Sequence, residues 1–199
     1  TPSVKAKPLS DNVKRGLAWL AKTQQESGGW SQGEESEAMG HSLDEVRDKP
    51  NVADTCMAAL ALMRAGSTPK TGLYAANVRR AVEFVCSQVE EADQKSLYVT
   101  SVRGTRVQMK LGSYIDTFLA SMLLTEAKDR MPDKKGNNRV AAALDKVLYK
   151  IEKNQRENGT WDDQGWAPVL QQSIASKAIN RVAQRGVKVD EKVRERAET

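Results

Sequence analysis

Two segments of the chain place an acid and a threonine at the start of an apolar run, and these acids are the first candidates for chemistry. Asp54 precedes Thr55 and Cys56, and Asp116 precedes Thr117. Carboxyl groups can transfer protons or bind metals. The structural alternative is a first-turn or N-cap acid, which is favoured by the free backbone N–H groups and the dipole of a helix. The sequence leaves both interpretations open.

The other reactive side chains do not form a recognised motif. The chain has two cysteines, Cys56 and Cys86, without a CxxC spacing, and one histidine, His41, in a polar loop. A lone loop histidine is more often solvated than catalytic, although it can titrate near neutral pH. Zinc needs three or four ligands, preferably nitrogen or sulfur, so the metal candidates Asp54, Cys56 and Asp116 form a poor set. We predict no cofactor and no stoichiometric zinc.

The elements that must position these side chains are helices. Apolar residues recur at i, i+4 and i+7 in three segments, and each is followed by a second, more apolar segment. We predict outer amphipathic helices at 12–25, with Asp11 as N-cap, at 75–91 and at 138–154. We predict inner helices at 52–63, 114–125 and 166–184. A recurring unit that cannot bury its own apolar face is typical of a stacked repeat.

Two long connections join an outer helix to the following inner helix. Residues 31–50 are rich in acids, whereas residues 96–111 carry Arg103, Arg106 and Lys110 and no acid. Alternating apolar residues around Gly104 predict a short β-hairpin in the second connection. Both connections should emerge at one edge of the array, where their opposite charges either attract or remain solvated, since surface ion pairs contribute only about 0–1 kcal/mol each.

A motif begins within the first outer helix and runs past its end, and its final part returns at the end of the third. Its residues are Arg15, Gly16, Trp19, Gln24, Gly28 and Trp30, then Gln155, Gly159 and Trp161. Lys150 replaces the aromatic residue in the third copy, and the second repeat lacks the Gly-x-Trp end. A glutamine at a helix end can satisfy free backbone groups, glycine permits a turn of positive φ, and tryptophan supplies apolar area. The motif therefore predicts structure rather than chemistry.

This pattern resembles the QW repeat of squalene and terpene cyclases. The resemblance covers roughly residues 10–186 and implies the α/α-toroid fold of prenyltransferase and squalene-oxidase-type repeat proteins, in which inner helices line a central cavity. Asp54 and Asp116 are similar to the end of the protonation motif of class II terpene cyclases, although the full Asp-x-Asp-Asp pattern is missing. Asp54 and Cys56 resemble the Asp-x-Cys zinc pair of protein prenyltransferase β subunits, but Asp116 stands where that family has histidine.

Composition bounds the class of protein. The 199 residues are 39% apolar and 29% charged, which excludes a wholly disordered chain, and no apolar run approaches a membrane span. A formal charge of +5, from 31 basic and 26 acidic residues, is too mixed for a nucleic-acid binder. The chain begins at Thr1 rather than at a methionine, which predicts upstream processing and leaves export to the periplasm or exterior open.

We divide the chain into an N-terminal extension at 1–9, one helical-repeat domain at 10–186 and a charged tail at 187–199. The tail is expected to be a short solvated helix or a frayed end. The third inner helix is unusually polar, which predicts either exposure as a cap at the open end of the array or a polar wall for a ligand groove. The polar residues are Gln171, Gln172, Ser173 and Lys177.

Three pairs make about half of a closed toroid, so the first pair is left with an apolar flank that needs cover. The sequence therefore favours a noncatalytic repeat domain that presents a concave surface or cavity to a protein partner, a second copy or an apolar ligand. One alternative is an enzyme of terpene-cyclase or prenyltransferase kind that uses Asp54 and Asp116. The other is an architectural subunit of a larger assembly.

Overall fold

The computed structural model describes residues 8–33, 44–161 and 167–198, and this part of the chain is all-helical without β-strands. An isolated antiparallel bridge joins Trp30 to Asn51. Nine helices are described: α1 (Asp11–Thr23), α2 (Asp44–Arg47), α3 (Val52–Arg64), α4 (Ala75–Glu91), α5 (Arg106–Leu111), α6 (Ile115–Ala127), α7 (Lys134–Asn154), α8 (Pro168–Gln184) and α9 (Glu191–Glu198).

The six predicted helices are present as α1, α3, α4, α6, α7 and α8. Side-chain caps mark the start of three of them, α1, α3 and α7. The side chain of Asn51 accepts a hydrogen bond from the backbone N–H of Asp54 at the start of α3. The predicted cap of α1 is wrong, because Ser10 is the N-cap residue and Asp11 is already helical. The hydroxyl of Ser10 accepts from the backbone N–H of Val13 and leaves Asp11 favourably placed in the first turn.

The helices alternate between two layers. In the inner layer α3 packs against α6, and α6 packs against α8; in the outer layer α4 packs against α7. All residues of α6 are buried, because it lies between α3 and α8 and also contacts α4, α5 and α7. This position explains why its sequence is apolar on nearly every side. The helix α1 contacts α3, and α9 contacts α8.

The Gln24 joint, formed by Gln24, Gly28, Asn77 and Arg80, connects the end of α1 to α4. The Gln24 amide donates to the carbonyl oxygens of Gly28 and Asn77, at 2.8 and 2.9 Å. Its oxygen accepts from the side chains of Asn77 and Arg80. Gly28 has a φ of +89°, and a Cβ there would lie 2.5 Å from the Arg80 carbonyl oxygen. Both its backbone conformation and the close approach of α4 require glycine.

A second joint, the Gln155 joint, reproduces this geometry between α7 and α9. The Gln155 amide donates to the carbonyl oxygens of Gly159 and Val193, and its oxygen accepts from Arg196. Gly159 has a φ of +82°, and a Cβ there would overlap the Arg196 carbonyl oxygen. The tail forms the short helix α9, as one of the two expectations had it, but Val193 and Ala197 are buried, so this helix is docked on one side and solvated on the other.

Some of the polar residues of α8 contact α9 and the Gln155 joint. Gln171 is buried, and Gln172 donates to the carbonyl oxygens of Gly159 and Ala197. The hydroxyl of Ser176 also donates to the Ala197 carbonyl oxygen, at 2.6 Å. The interpretation of α8 as an exposed polar cap is therefore wrong for Gln171, although Ser173 and Lys177 are exposed.

The predicted hairpin between α4 and α6 is absent, since residues 96–105 contain no strand and α5 replaces its second half. The reason is a capping box. The Thr105 side chain accepts from the Gln108 backbone, and the Gln108 side chain accepts from the Thr105 backbone. This reciprocal pair favours a helix start over an extended chain. The alternation of apolar residues around Gly104 indicated a hairpin instead, so the sequence analysis did not predict α5.

Candidate functional site

A surface groove lies beside the first helix pair, and we call it the first-pair groove. It consists of two adjoining clefts of about 320 and 270 Å³ that share Gln32, Asp54 and Met57. Most of its lining is apolar. The first cleft is completed by Trp19, Leu20, Trp30, Ser31 and Ala58. The second is completed by Arg106, Val107, Lys110 and Leu111. The groove therefore joins α1, α3, α5 and the segment that contains the Trp30–Asn51 bridge.

Two large apolar side chains are exposed in this groove. The exposed fraction is 63% for Trp19 and 41% for Met57. Trp30 belongs to the wall, since it is 5% exposed and its indole N–H donates to the Leu20 carbonyl oxygen at 2.9 Å. The backbone N–H of Trp30 donates to the Thr55 hydroxyl, which ties the wall to α3. The structure thus presents apolar surface on a fixed framework.

Hydrogen bonds fix α5 as the opposite side of the groove. The Gln32 side-chain oxygen accepts from the Arg106 backbone N–H at 2.9 Å, so the first connection supports the start of α5. The Gln108 amide donates to the carbonyl oxygen of Val102 and to a carboxylate oxygen of Asp116. The Gln32–Arg106 contact brings the described parts of the two long connections together, while residues 34–43 of the acidic connection lie outside the described residues.

Asp116 is placed inside the protein rather than in the groove. It is 2% exposed, and its carboxylate accepts from the Ala53 backbone N–H at 3.0 Å and from the Gln108 amide at 2.8 Å. Burial raises the pKa of Asp116 to about 6, against the opposing effect of the hydrogen bonds from Gln108 and Ala53. The acid therefore caps the first turn of α3 from the neighbouring inner helix, which is a positional role that the sequence could not specify.

Asp54 is the acid that lines the groove. Its carboxylate accepts from the Asn51 side chain at 2.7 Å, while its backbone N–H donates back to Asn51. Burial raises the pKa of Asp54, and the Asn51 hydrogen bond opposes that shift. This reciprocal capping pair accounts for an acid in the first turn of α3. Among the described residues, Asp54 is the carboxylate in the lining of the groove.

Cys56 is fully buried, and burial raises the pKa of its thiol well above the usual value. Among residues 8–33, 44–161 and 167–198, the structure brings together no group of three His, Cys, Asp or Glu side chains suited to a metal ion. His41 lies outside these residues. The expected absence of stoichiometric zinc stays a prediction.

The motif residues separate into two groups. The first group is structural. The joints contain Gln24 and Gly28, and Gln155 and Gly159. Beside them, the indole N–H groups of Trp30 and Trp161 donate to backbone carbonyl oxygens of the preceding helix. Arg15, Gly16 and Trp19 lie on exposed positions of α1. Trp19 therefore contributes to the groove and not to the core.

Sequence reasoning missed the residues that make the groove a site. The missed residues are Gln32, Met57, Val107 and Leu111. The capping pair Thr105 and Gln108 was the available signal, because it predicts α5 and hence the second side of the groove.

Comparison with known proteins adds no assignment. No family model matches the chain. No curated protein matches it, and no solved structure does. Among the described helices, none combines the length and apolar character required to cross a membrane.

Proposed function

We infer that this chain is a noncatalytic helical-repeat domain that binds a protein partner through the first-pair groove. The observation that carries this proposal is the exposure of Trp19 and Met57 in a groove whose walls are held by α3 and α5. An exposed tryptophan beside a methionine is the kind of anchor that protein interfaces enrich. Its burial by a partner would remove apolar area from water.

The proposal includes an architecture, an α/α-toroid-like array of the QW type. The alternation of inner and outer helices and the recurrence of one joint at Gln24 and Gln155 are the features expected of such repeats. Among the described elements α6 is the one inner helix that packs against α3, and the groove lies on α3 between α1 and α5. The proposed partner covers that groove.

The enzyme alternative rests on Asp54, which lines the groove and whose pKa is raised by burial. Asp116 gives it less support, because both of its carboxylate oxygens accept hydrogen bonds inside the protein. An architectural role in a larger assembly would use the same groove as a permanent contact. A permanent partner would remain bound through purification, whereas the binding proposal expects exchange.

Sedimentation velocity at micromolar to hundred-micromolar concentration tests the groove with a second copy as the partner. We expect Met57→Glu to weaken association. Met109→Glu is the matched control, because Met109 is 48% exposed on α5 but lies outside the groove lining. Equal losses in both variants would contradict the proposal.

Hydrogen exchange extends the test to a different partner. Protection of the backbone in 52–58 should increase when the protein is in extract from its source, and Met57→Glu should abolish the increase. A monomer whose groove gains no protection in that extract would overturn the binding function. Turnover lost in Asp54→Asn without a loss of binding would favour the enzyme.

A further inference from the structure

We propose that a cleft between α6 and α8 binds a small molecule through a phosphate group. The cleft has a volume of about 640 Å³. It is lined by Glu126, Lys177, Asn180, Arg181, Gln184 and Arg185. Three of these side chains are cationic and one is anionic. The lining shares no residue with the first-pair groove, so this proposal is independent of the proposed function.

Glu126 holds the two arginines of the cleft in place. One carboxylate oxygen accepts from Arg181 Nε at 2.6 Å, and the other accepts from Arg185 Nη2 at 2.7 Å. Arg130 lies 3.7 Å from that second oxygen. The Glu126 side chain is buried, so this network belongs to the packing of α6 against α8. Its charge is exceeded by the guanidinium groups around it.

The remaining donors of the arginines are available for a further acceptor. Each guanidinium has five N–H donors, and the Glu126 contacts of Arg181 and Arg185 each use one nitrogen. Guanidinium groups match phosphate oxygens in geometry as well as charge. Because Glu126 already holds both guanidinium groups in place, phosphate binding would not have to order these side chains.

Lys177 distinguishes this cleft from a structural ion-pair network. It lies about one turn before Arg181 on α8, is exposed, and makes no hydrogen bond or ion pair with the part of the chain described. Basic residues near a helix C-terminus stabilise the helix dipole, but this effect falls off within the last turn. The helix dipole therefore explains why basic residues stand at positions 181 and 185, but Lys177 is too far from the end of α8 for this effect. A bound anion would explain the position of all three cations.

Isothermal titration calorimetry with tripolyphosphate, inorganic phosphate and glucose 6-phosphate tests the site. We expect tripolyphosphate to bind and Lys177→Ala to weaken its binding by about tenfold, the effect of one charge-assisted hydrogen bond. Lys22→Ala is the control, because Lys22 is an exposed lysine on α1, outside the cleft. Binding of glucose 6-phosphate with the same dependence on Lys177 identifies a phosphate monoester as the ligand class, and binding of tripolyphosphate alone identifies a polyphosphate.

A second variant addresses the arginine geometry. Arg181→Lys keeps the charge but loses the planar set of donors, so it should also weaken binding while Lys22→Ala does not. Thermal unfolding of each variant without ligand separates a loss of binding from a loss of folding. No heat of binding at millimolar tripolyphosphate, or equal weakening by Lys177→Ala and Lys22→Ala, would overturn the proposal.

Discussion

At the scale of single residues, chemically identical side chains have different environments. Trp19 and Trp30 belong to the same sequence motif, yet Trp30 is buried with its indole N–H paired and Trp19 is exposed in the groove. Asp54 and Asp116 begin equivalent inner helices, yet Asp116 is buried and Asp54 lines the groove. Residue type alone therefore does not decide which of each pair is structural.

The two tryptophans give a matched prediction for stability. We expect Trp30→Ala to lower the free energy of unfolding by about 3–5 kcal/mol, because it removes a buried aromatic ring. Trp19→Ala should change that free energy by less than about 0.5 kcal/mol, as exposed substitutions do. Chemical denaturation of both variants checks this. A Trp30→Ala protein as stable as the parent would contradict its assignment to the wall.

Asp116 predicts how stability depends on pH. Its pKa is about 6 in the folded protein and about 3.8 in the unfolded chain, so the folded state binds more protons between these values. The free energy of unfolding should therefore fall as the pH rises from about 4 to 6, by up to the order of 3 kcal/mol. In Asp116→Asn the contribution of Asp116 should be lost and the slope should become shallower, while Asp54, whose pKa burial also raises, keeps its own contribution. Urea unfolding across that pH window measures it, and an unchanged slope in the variant would exclude Asp116 as the cause.

At the scale of elements, packing at a joint decides which glycines are required. Gly159 approaches the carbonyl oxygen of Arg196, whereas a Cβ at Gly16 in α1 meets no atom within 4 Å. Glycine is therefore required at position 159, whereas at position 16 it only lowers the stability of the helix.

We expect Gly159→Ala to detach α9, because the added Cβ cannot fit against the Arg196 backbone and the left-handed φ disfavours alanine. Gly16→Ala should stabilise the protein by up to about 1 kcal/mol, since alanine favours a helix interior. Hydrogen exchange at 191–198 reports the first effect, and thermal unfolding reports the second. Retained protection of α9 in Gly159→Ala would show that the Gln155 joint tolerates a side chain there.

The sequence predicted the positions of the main helices but not how they pack against one another. Helix α4 has the predicted boundaries, because its apolar period and its packing against α3 agree. Helix α5 was missed because six residues are too short to show a helical period, and only the capping pair marked it. The groove could not be predicted, because its sides come from α1, α3 and α5. The cations of the cleft on α8 lie at i, i+4 and i+8 and were open to prediction, but their pairing with Glu126 of α6 was not. The toroid resemblance stays a proposal.

At the scale of the whole molecule, burial is greatest in α6 and decreases toward both ends of the array. The core of α6 includes Phe118, whose ring packs edge-on against Trp161 with centroids 5.2 Å apart. By contrast, Leu17 is the one buried residue in α1. The amount of buried surface in a helix determines how readily that helix unfolds locally.

We expect native-state hydrogen exchange to be slowest in α6 and faster in α1 and α9. The free energy of opening should reach the global value in α6, while α1 and α9 open at lower cost. Measurement at increasing denaturant concentrations separates these units. If α1 exchanged only by global unfolding, its interface with α3 and α4 would be more stable than its burial indicates.

The recurrence of the joint at Gln24 and Gln155 has a consequence for how such a chain can change over time. Each joint specifies only a glutamine, a glycine, a basic side chain and a backbone carbonyl, so the other outer positions are free to diverge. The α9 sequence, full of charges, is docked as α4 is despite little likeness to it. A chain can therefore keep the atoms of this joint while most of the residues around it change.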